Sequence, residues 1–587
     1  MEKRWVIRKK GDAALIKSLA KGLSISPHLS NLLVQRGIST FEEAKSFFRP
    51  EFSMLHDPFL MKDMDIAVER IKKAISDNEK ILVYGDYDVD GTSAVALVYS
   101  FIESICNPEN IDFYIPDRYL EGYGVSMKGM DYAAENNFKL IICLDCGIKA
   151  IDQVRYAKER GIDFIICDHH RPGDILPEAI AVLDPKRQDC VYPYDELSGC
   201  GIGFKLVQAY AQKNNIPFGE IEQYLDLVVI SIASDIVPVT GENRILAYFG
   251  LKLLNSNPRS GLEAILTYSG IKRLDKTVTN REQIFSRLLT INDLVFLIGP
   301  RINAAGRIED GKNAVELLIC KDLASAMEFG ECININNTER KTLDSTITQS
   351  ALEMVQSDKH HATRKTTVVF QRDWHKGVVG IVASRLIESY YRPTIVLTES
   401  NGLITGSARS VKDFDIYDAI DSCSDLLEHF GGHKYAAGLS MKPENLQAFQ
   451  DKFEKIVSET IEDDMLVPEV EIDSEIELTD ISPKFYRVLK QFAPFGPGNM
   501  APVFLTRGLV DKGYARIVGS NHLRLTVIYP GIYNPEYNAI AFGQSDYLPL
   551  VTNGNTFSIC YHVEENEWNG SVSLQLAVKD IKADAAS

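Results

Sequence analysis

Five short apolar runs between Ile81 and Val239 constrain the fold of this chain more than any other feature: ILVYGDYD, KLIICLDCG, DFIICDHH, AVLDP and LDLVVISIASD. None alternates apolar with polar residues, each ends in acidic or polar ones, and stretches of helical pattern separate them. Strands buried on both faces read this way, so the pattern predicts an α/β domain, doubly wound around a parallel sheet. Ligands in such sheets collect beyond the carboxyl ends of the strands. Every acidic cluster in the five runs lies at such an end.

The rest of the chain changes texture three times. From Ala314 to Val355 turn signals are scarce, and Leu343, Ile347 and Ala351 recur every four residues, which predicts a long connecting helix. A second α/β segment runs from KTTVVFQRDW through RPTIVLT, LITGSARS and FGGHKYAAGLSM to about Val457, with glycines at its strand ends. Beyond the acidic SETIEDDMLVPEVEID, one helix and the turn-rich FAPFGPGNMAPVF, the strands LRLTVIY, YNAIAFG, TFSICYHVEE and VSLQLAVKDI predict a small Greek-key barrel of the OB-fold type. The expected order is an N-terminal segment (1–50), a catalytic α/β domain (51–313), a linker helix (314–358), a second α/β domain (359–460) and an OB-fold β-barrel (461–587).

Composition narrows the function classes. With 587 residues the chain exceeds the usual single core, so two to four domains are expected. A formal net charge of −18 argues against a surface coated in nucleic-acid-binding charge, while leaving room for a confined basic groove. The opening MEKRWVIRKKGDAALIKSLAKG carries charges where a secretory signal needs an apolar core. No uncharged apolar run approaches the roughly 20 residues of a membrane span. A cytoplasmic protein without a membrane role is expected, and its ten cysteines, lacking paired spacing, read as reduced thiols.

The polar strand ends form a constellation: Asp86, Asp88 and Asp90; Asp145; Asp168, His169 and His170; and Asp235. Singly, each aspartate reads most simply as a cap for the next helix, and each histidine as a packing residue. Together they deliver carboxylates and imidazoles from four runs to one sheet edge, where mutual repulsion would raise their pKa values or force them apart. Two divalent cations resolve the conflict, and oxygen ligands with one or two imidazoles suit Mn²⁺ or Mg²⁺ rather than structural zinc. Such a pair activates water and clamps phosphoryl oxygens.

In this order GDYDVDG, LDCG, DHH and SD resemble motifs I to IV of the DHH phosphoesterase superfamily. YGDYDVDG, taken with GPRINAAGR and GGHKYAAG, resembles its RecJ branch, and the likeness extends over nearly the whole chain. The resemblance implies a DHH domain, a linker helix, a DHH-associated domain and an OB-fold. It also implies a 5′→3′ exonuclease specific for single-stranded DNA, using two Mn²⁺ or Mg²⁺ ions and releasing 5′-mononucleotides in DNA repair and recombination. Asp88 and Asp90 then match metal ligands, one for each ion, Asp145 the bridging carboxylate, and His169 and Asp235 ligands of the second ion. Asp86 would ligate the first ion in place of the histidine that smaller superfamily members carry at the position of Tyr84. His170 matches the catalytic histidine that addresses the scissile phosphate, with Asp168 orienting its neighbour. Gly91 is read as a tight-turn residue.

For the substrate, Arg301, Asn303 and Arg307 of GPRINAAGR, Ser407 and Arg409 of GSARS, and Gly432 and His433 of GGH are the phosphate-binding candidates, against ordinary ion pairs and a plain glycine turn. Tyr514, Arg516, His522 and Arg524 are candidate OB-fold contacts, and Trp374 reads equally as packing or stacking. A strand threaded between two domains would explain selection against duplex. Helicases and a single-strand-binding protein are further expected partners of a monomeric enzyme. The competing readings are a DHH phosphodiesterase acting on short oligonucleotides or cyclic dinucleotides, and a non-catalytic single-strand-binding replication factor.

Overall fold

The computed structural model describes residues 2–275, 283–308, 310–568 and 571–584. The chain divides into two compact units, one of Pro50–Thr342 with Pro494–Met500, the other of Met1–Arg49, Leu343–Ala493 and Ala501–Ser587.

The first unit is built on a five-stranded parallel sheet in the spatial order Ile111–Tyr114, Lys80–Gly85, Phe138–Leu144, Asp163–Cys167, Ala181–Leu183. Numbered along the chain this order is 2-1-3-4-5, and it reverses direction between Lys80–Gly85 and Phe138–Leu144. The crevice outside their carboxyl ends is therefore the topological switch point. Alternate residues of Lys80–Gly85 serve opposite cores: Ile81 and Val83 join one apolar cluster, Leu82 and Tyr84 another. Burial on both faces is the physical reason these runs are continuously apolar.

The fifth apolar run departs from expectation. LDLVVISIASD is not a strand but the buried helix Leu225–Ser234, so Asp235 leaves a helix rather than a sheet. An unbroken apolar run cannot separate a buried strand from a helix buried all round, and the ten-residue length here favours the helix. The expected linker also divides. Lys312–Ile319 is a separate helix, and the long helix is Leu323–Ser357, begun after Asp322 accepts the Ser325 N–H at 2.8 Å.

Helix Gly199–Lys213, which carries site contacts at its first residues, is anchored by a buried ion pair. Lys205 Nζ donates to Glu242 at 3.0 Å and to the His56 carbonyl at 2.7 Å, while Glu242 also accepts the His56 N–H and the Tyr192 hydroxyl. Lys205 has 0% and Glu242 1% of its side-chain surface exposed.

In the second unit a five-stranded mixed sheet runs His429–His433, Ala436–Met441, Leu403–Arg409, Thr394–Ser400, Thr367–Phe370. Only its last pair is parallel. The C-terminal strands form a seven-stranded sheet that curls until Phe504–Asp511 pairs with His522–Tyr529 as well as with Phe557–Trp568, which is the closure expected of a small barrel. The N-terminal strand Arg4–Ile7 pairs in parallel with Glu469–Ile472.

Removing one member of the buried pair leaves an uncompensated charge. Lys205→Met is expected to destabilise the first unit by about 3–5 kcal/mol, read as an earlier loss of helical circular dichroism in urea, and Lys205→Met with Glu242→Leu should recover much of it. A single variant as stable as the parent refutes the anchoring role.

Candidate active site

The acidic loop after Lys80–Gly85 uses each aspartate differently. Asp88 caps helix Val89–Glu103, its Oδ1 accepting the Gly91 N–H at 3.0 Å. Capping engages one oxygen and leaves the other for the crevice, so capping and ligation do not exclude each other. Gly91 sits within the helix rather than in a tight turn, and its role is close approach: a Cβ there would lie 2.4 Å from the Asp86 carbonyl oxygen. Asp86 is fully buried, with the Gly124 N–H 3.4 Å from its Oδ1.

Asp90 is the most tightly held. Its Oδ2 accepts the Gly199 N–H at 2.7 Å, and its Oδ1 accepts the Cys200 N–H and the Ser231 hydroxyl, each at 2.7 Å. The carboxylate thus rests on the positive N-terminal end of helix Gly199–Lys213, where a negative charge is stabilised. The same helix start crowds Asp145. A Cβ on Gly199 would lie 2.6 Å from that of Asp145, whose own backbone is held at φ 58°.

His169 Nε2 is the point of convergence. It lies 3.2 Å from Asp145 Oδ1, 3.6 Å from Asp235 Oδ2 and 3.8 Å from Asp90 Oδ2. Two groups have donor atoms close enough to share an ion: Asp90, His169 and Asp235; and Asp145, His169 and His170. Asp168 faces the other way. Its Oδ2 accepts the Ile148 N–H, and its Oδ1 accepts the backbone N–H groups of His169 and His170 and meets His170 Nδ1 at 2.8 Å. The opposite nitrogen of His170 lies 3.2 Å from the Tyr123 hydroxyl.

The electrostatics match this geometry. Burial and then the charges of neighbouring aspartates push Asp86 and Asp145 well above the usual carboxylate range, and push Asp235 up to about 8. Burial alone would lower His170, but the Asp168 hydrogen bond and charge, aided by Asp235 and Asp90, carry it up to about 8. Burial likewise opposes ionisation of Asp168, yet His170 and the backbone donors outweigh it and hold Asp168 below its ordinary value. Buried His169 is lowered, first by desolvation.

A divalent pair fits these residues. The buried atoms Asp86 Oδ2, Asp145 Oδ1 and His169 Nδ1 have no hydrogen-bond partner, and buried polar groups are normally satisfied. The converging donors are carboxylate oxygens and imidazole nitrogens without a thiolate, as Mn²⁺ or Mg²⁺ require.

Tyr123, Asp184 and Lys186 escaped the sequence reading. Asp184 follows strand Ala181–Leu183 at the same sheet edge, is fully buried, and is pushed up to about 7 by burial and by the charge of Asp168. The strand-end criterion that found Asp145 points equally to Asp184 in AVLDP. Lys186 lies near enough for its charge to act on His169 and Asp235. No local signal marks Tyr123, which reaches His170 only through the fold.

The phosphate candidates fall into two sets. GPRINAAGR forms helix Gly299–Ile308, entered from the π-helical turn Leu294–Ile298. Its glycines let it lie against the acidic loops, since a Cβ on Gly299 would be 2.8 Å from Ser234 Oγ and one on Gly306 2.9 Å from the Tyr87 carbonyl oxygen. Arg301 is buried and donates to Asn334 Oδ1 at 3.1 Å and to the Leu297 carbonyl at 2.7 Å, while Asn303 and Arg307 are half-buried.

In the other unit, register places His433 opposite Ala436 and Ala436 opposite Arg409, so the GGH and GSARS motifs share one row of one sheet. Arg409 Nη1 donates to Ser407 Oγ at 2.8 Å. Burial holds Arg409 below its usual value, and no carboxylate pairs with it among the described residues. Gly432, at φ +149°, would put a Cβ 2.3 Å from the Ala436 carbonyl oxygen. Trp374 packs into an apolar cluster with Val378 and Val382. On the barrel, exposed Arg516 and Arg524 are cross-strand partners, His522 pairs opposite Val518, and Tyr514 is exposed nearby in sequence.

Comparison with known families matches the DHH family N-terminal domain at residues 80–232, the DHHA1 domain at 363–459 and the RecJ OB domain at 472–580. The single-stranded-DNA-specific exonuclease RecJ of Bacillus subtilis is 36% identical over 581 residues, covering 98% of this chain and 70% of that protein. The Escherichia coli protein of the same name is 30% identical over 577 residues, covering 95% of this chain and 96% of its own. This chain belongs to the RecJ family. A crystal structure of RecJ in complex with Mn²⁺ from Thermus thermophilus superposes with a TM-score of 0.83 at 26% identity, covering 99% of this chain and 80% of that one. The order of DHH, second α/β and barrel segments read from the sequence is thus the order of the family domains.

Two outcomes test the RecJ site described above. Gly199→Ala is expected to weaken Mn²⁺ binding by about 10–100-fold by displacing Asp145, measured by calorimetry with the circular dichroism unchanged; unaltered binding refutes the crowding account. Because the carboxyl pKa values are raised on folding, the metal-free protein binds more protons than the unfolded chain and loses stability as pH rises from about 4 toward 8. A cation must displace those protons, so its affinity climbs over the same range. Mn²⁺ titration at pH 6.5 in buffers of different ionisation enthalpy should show proton release, which fades above pH 9.

Proposed function

We propose that this chain is a metal-dependent exonuclease that hydrolyses single-stranded DNA from its 5′ end and releases 5′-mononucleotides. The observation that carries this reading is the convergence of Asp90, Asp145 and Asp235 on His169 Nε2, in a chain that matches the Escherichia coli RecJ over 96% of its length.

Asp86, Asp88, Asp90, Asp145, His169 and Asp235 would hold two Mn²⁺ or Mg²⁺ ions, which when bound supply an activated water and neutralise phosphoryl charge. Asp90, clamped by three donors, and Asp145, pressed by Gly199, hold the ligand set in place before substrate arrives. Asp168 fixes His170 through Nδ1 and favours the imidazolium, so that Nε2 can donate to an oxygen of the scissile phosphate once it leaves the Tyr123 hydroxyl. Ser407 and Arg409, with His433 in the same row of strands, suit the terminal 5′-phosphate, because a buried guanidinium without a carboxylate lacks a counter-charge. Helix Val379–Ser389 begins beside them, adding backbone donors that anions favour. Arg516 and Arg524 give the barrel a paired basic contact for the backbone of the strand.

All the expected ligand positions carry aspartate or histidine, which favours an active enzyme over a non-catalytic binding factor. Ten cysteines, none in a disulfide, support a reducing, cytoplasmic setting, and no helix among the described residues is long and apolar enough to cross a membrane. We assign it a monomeric state and work alongside helicases and a single-strand-binding protein.

End-labelled single-stranded DNA with Mn²⁺ tests the reading. Early release of 5′-labelled mononucleotide is expected, and processing from the 3′ end, or attack on duplex at an equal rate, refutes it. Asp145→Ala should lower turnover by at least about 10³-fold, as loss of a group that stabilises transition-state charge does, while single-strand binding persists.

A further inference from the structure

Helix Leu225–Ser234 closes on Asp235 as its C-cap, and Ile236 follows at the first position beyond it, with φ 59°. Helices commonly turn through a left-handed residue here, and glycine usually fills the position because a Cβ is crowded in that conformation. A β-branched side chain is poorly suited to it. Of the nine non-glycine residues at positive φ among the described residues, eight are the short polar types Asn, Asp or Ser, and Ile236 is the ninth.

The side chain gains little packing in return for this strain. Ile236 is 66% exposed, although Val237 and Val239 just after it are buried. The segment is held through its backbone instead. The Pro497 carbonyl accepts the Val239 N–H at 2.7 Å, and the Pro238 carbonyl accepts from Asn243 Nδ2 at 3.0 Å and from the Tyr194 hydroxyl at 3.2 Å. Strained residues fixed by their surroundings gather at functional sites, and a position that breaks a local rule points the same way. Here the neighbour is Asp235, whose Oδ2 lies 3.6 Å from His169 Nε2. Adjacent Cα atoms stand about 3.8 Å apart, so Ile236 presents apolar surface one residue from a carboxylate that faces the acidic site.

We infer that Ile236 packs against the face of a nucleobase next to the scissile phosphate. This contact rests on the exonuclease reading and deepens it. A ligand that suits both residues carries its charge to the acidic site and apolar surface to Ile236, and a nucleotide of a single strand does so through its phosphate and its unstacked base. Every base has such a face, so the contact is indifferent to sequence. In a duplex the same face is covered by the neighbouring base pairs, and an apolar side chain reaches it only by unstacking them.

The full-length parent, Ile236→Gly and Ile236→Val are compared, with Mn²⁺, on single-stranded DNA that is intact or lacks the base of its first or its second nucleotide. Glycine suits the backbone conformation and removes the contact, whereas valine keeps an apolar side chain. Ile236→Gly is expected to raise KM for intact DNA about ten-fold, as loss of apolar burial does, and to match the parent on one of the two abasic substrates. It should unfold no earlier than the parent in urea, and Ile236→Val should recover most of the loss. An unchanged KM for intact DNA, or equal falls on the intact and both abasic substrates, overturns the base contact. Earlier unfolding assigns the side chain to packing, and weaker Mn²⁺ binding by calorimetry assigns it to holding Asp235; either result also overturns the contact. A parent chain that cleaves no single-stranded DNA refutes the exonuclease reading and the base contact together, while an active parent without the coupling refutes the base contact alone.

Discussion

The molecule is organised around a repulsion that it holds in place. Aspartates from three strand ends and one helix end face each other at one crevice, and two of their oxygens are buried without a hydrogen bond. The arrangement survives because one carboxylate, Asp90, is neutralised by the first peptide groups of helix Gly199–Lys213 and the Ser231 hydroxyl. That helix is in turn tied down by the buried Lys205–Glu242 pair. The anion-binding end of one helix thus stabilises the least favourable part of the structure.

Glycines set the distances. Gly91, Gly199, Gly299 and Gly306 each stand where a methyl group would strike Asp86, Asp145, Ser234 or Tyr87. Backbone approach of this kind fixes carboxylate positions more firmly than side-chain packing could, because peptide units do not change rotamer. Preorganisation of the ligands is therefore built into the main chain.

Of the site, the residues at strand ends were legible because a parallel sheet buried on both faces writes itself as apolar runs, and the switch-point rule says where their ends must meet. Asp86 to Asp90, Asp145, and Asp168 to His170 came from that logic. Asp235 reaches the crevice from a helix where a strand was expected, since a helix buried all round has no periodicity to betray it. Tyr123 left no trace, as its contact with His170 joins residues 47 apart through a loop.

By itself the sequence determined the order of the layers and the chemistry of the crevice: apolar runs with acidic ends. What only the tertiary structure decided is which atoms do the work. Asp168 spends both oxygens on backbone N–H groups and His170, and Asp90 is held by donors from helices more than a hundred residues away. Those divisions depend on hydrogen-bond direction and burial. Both are properties of packed elements rather than of residue type, so no spacing along the chain could have specified them.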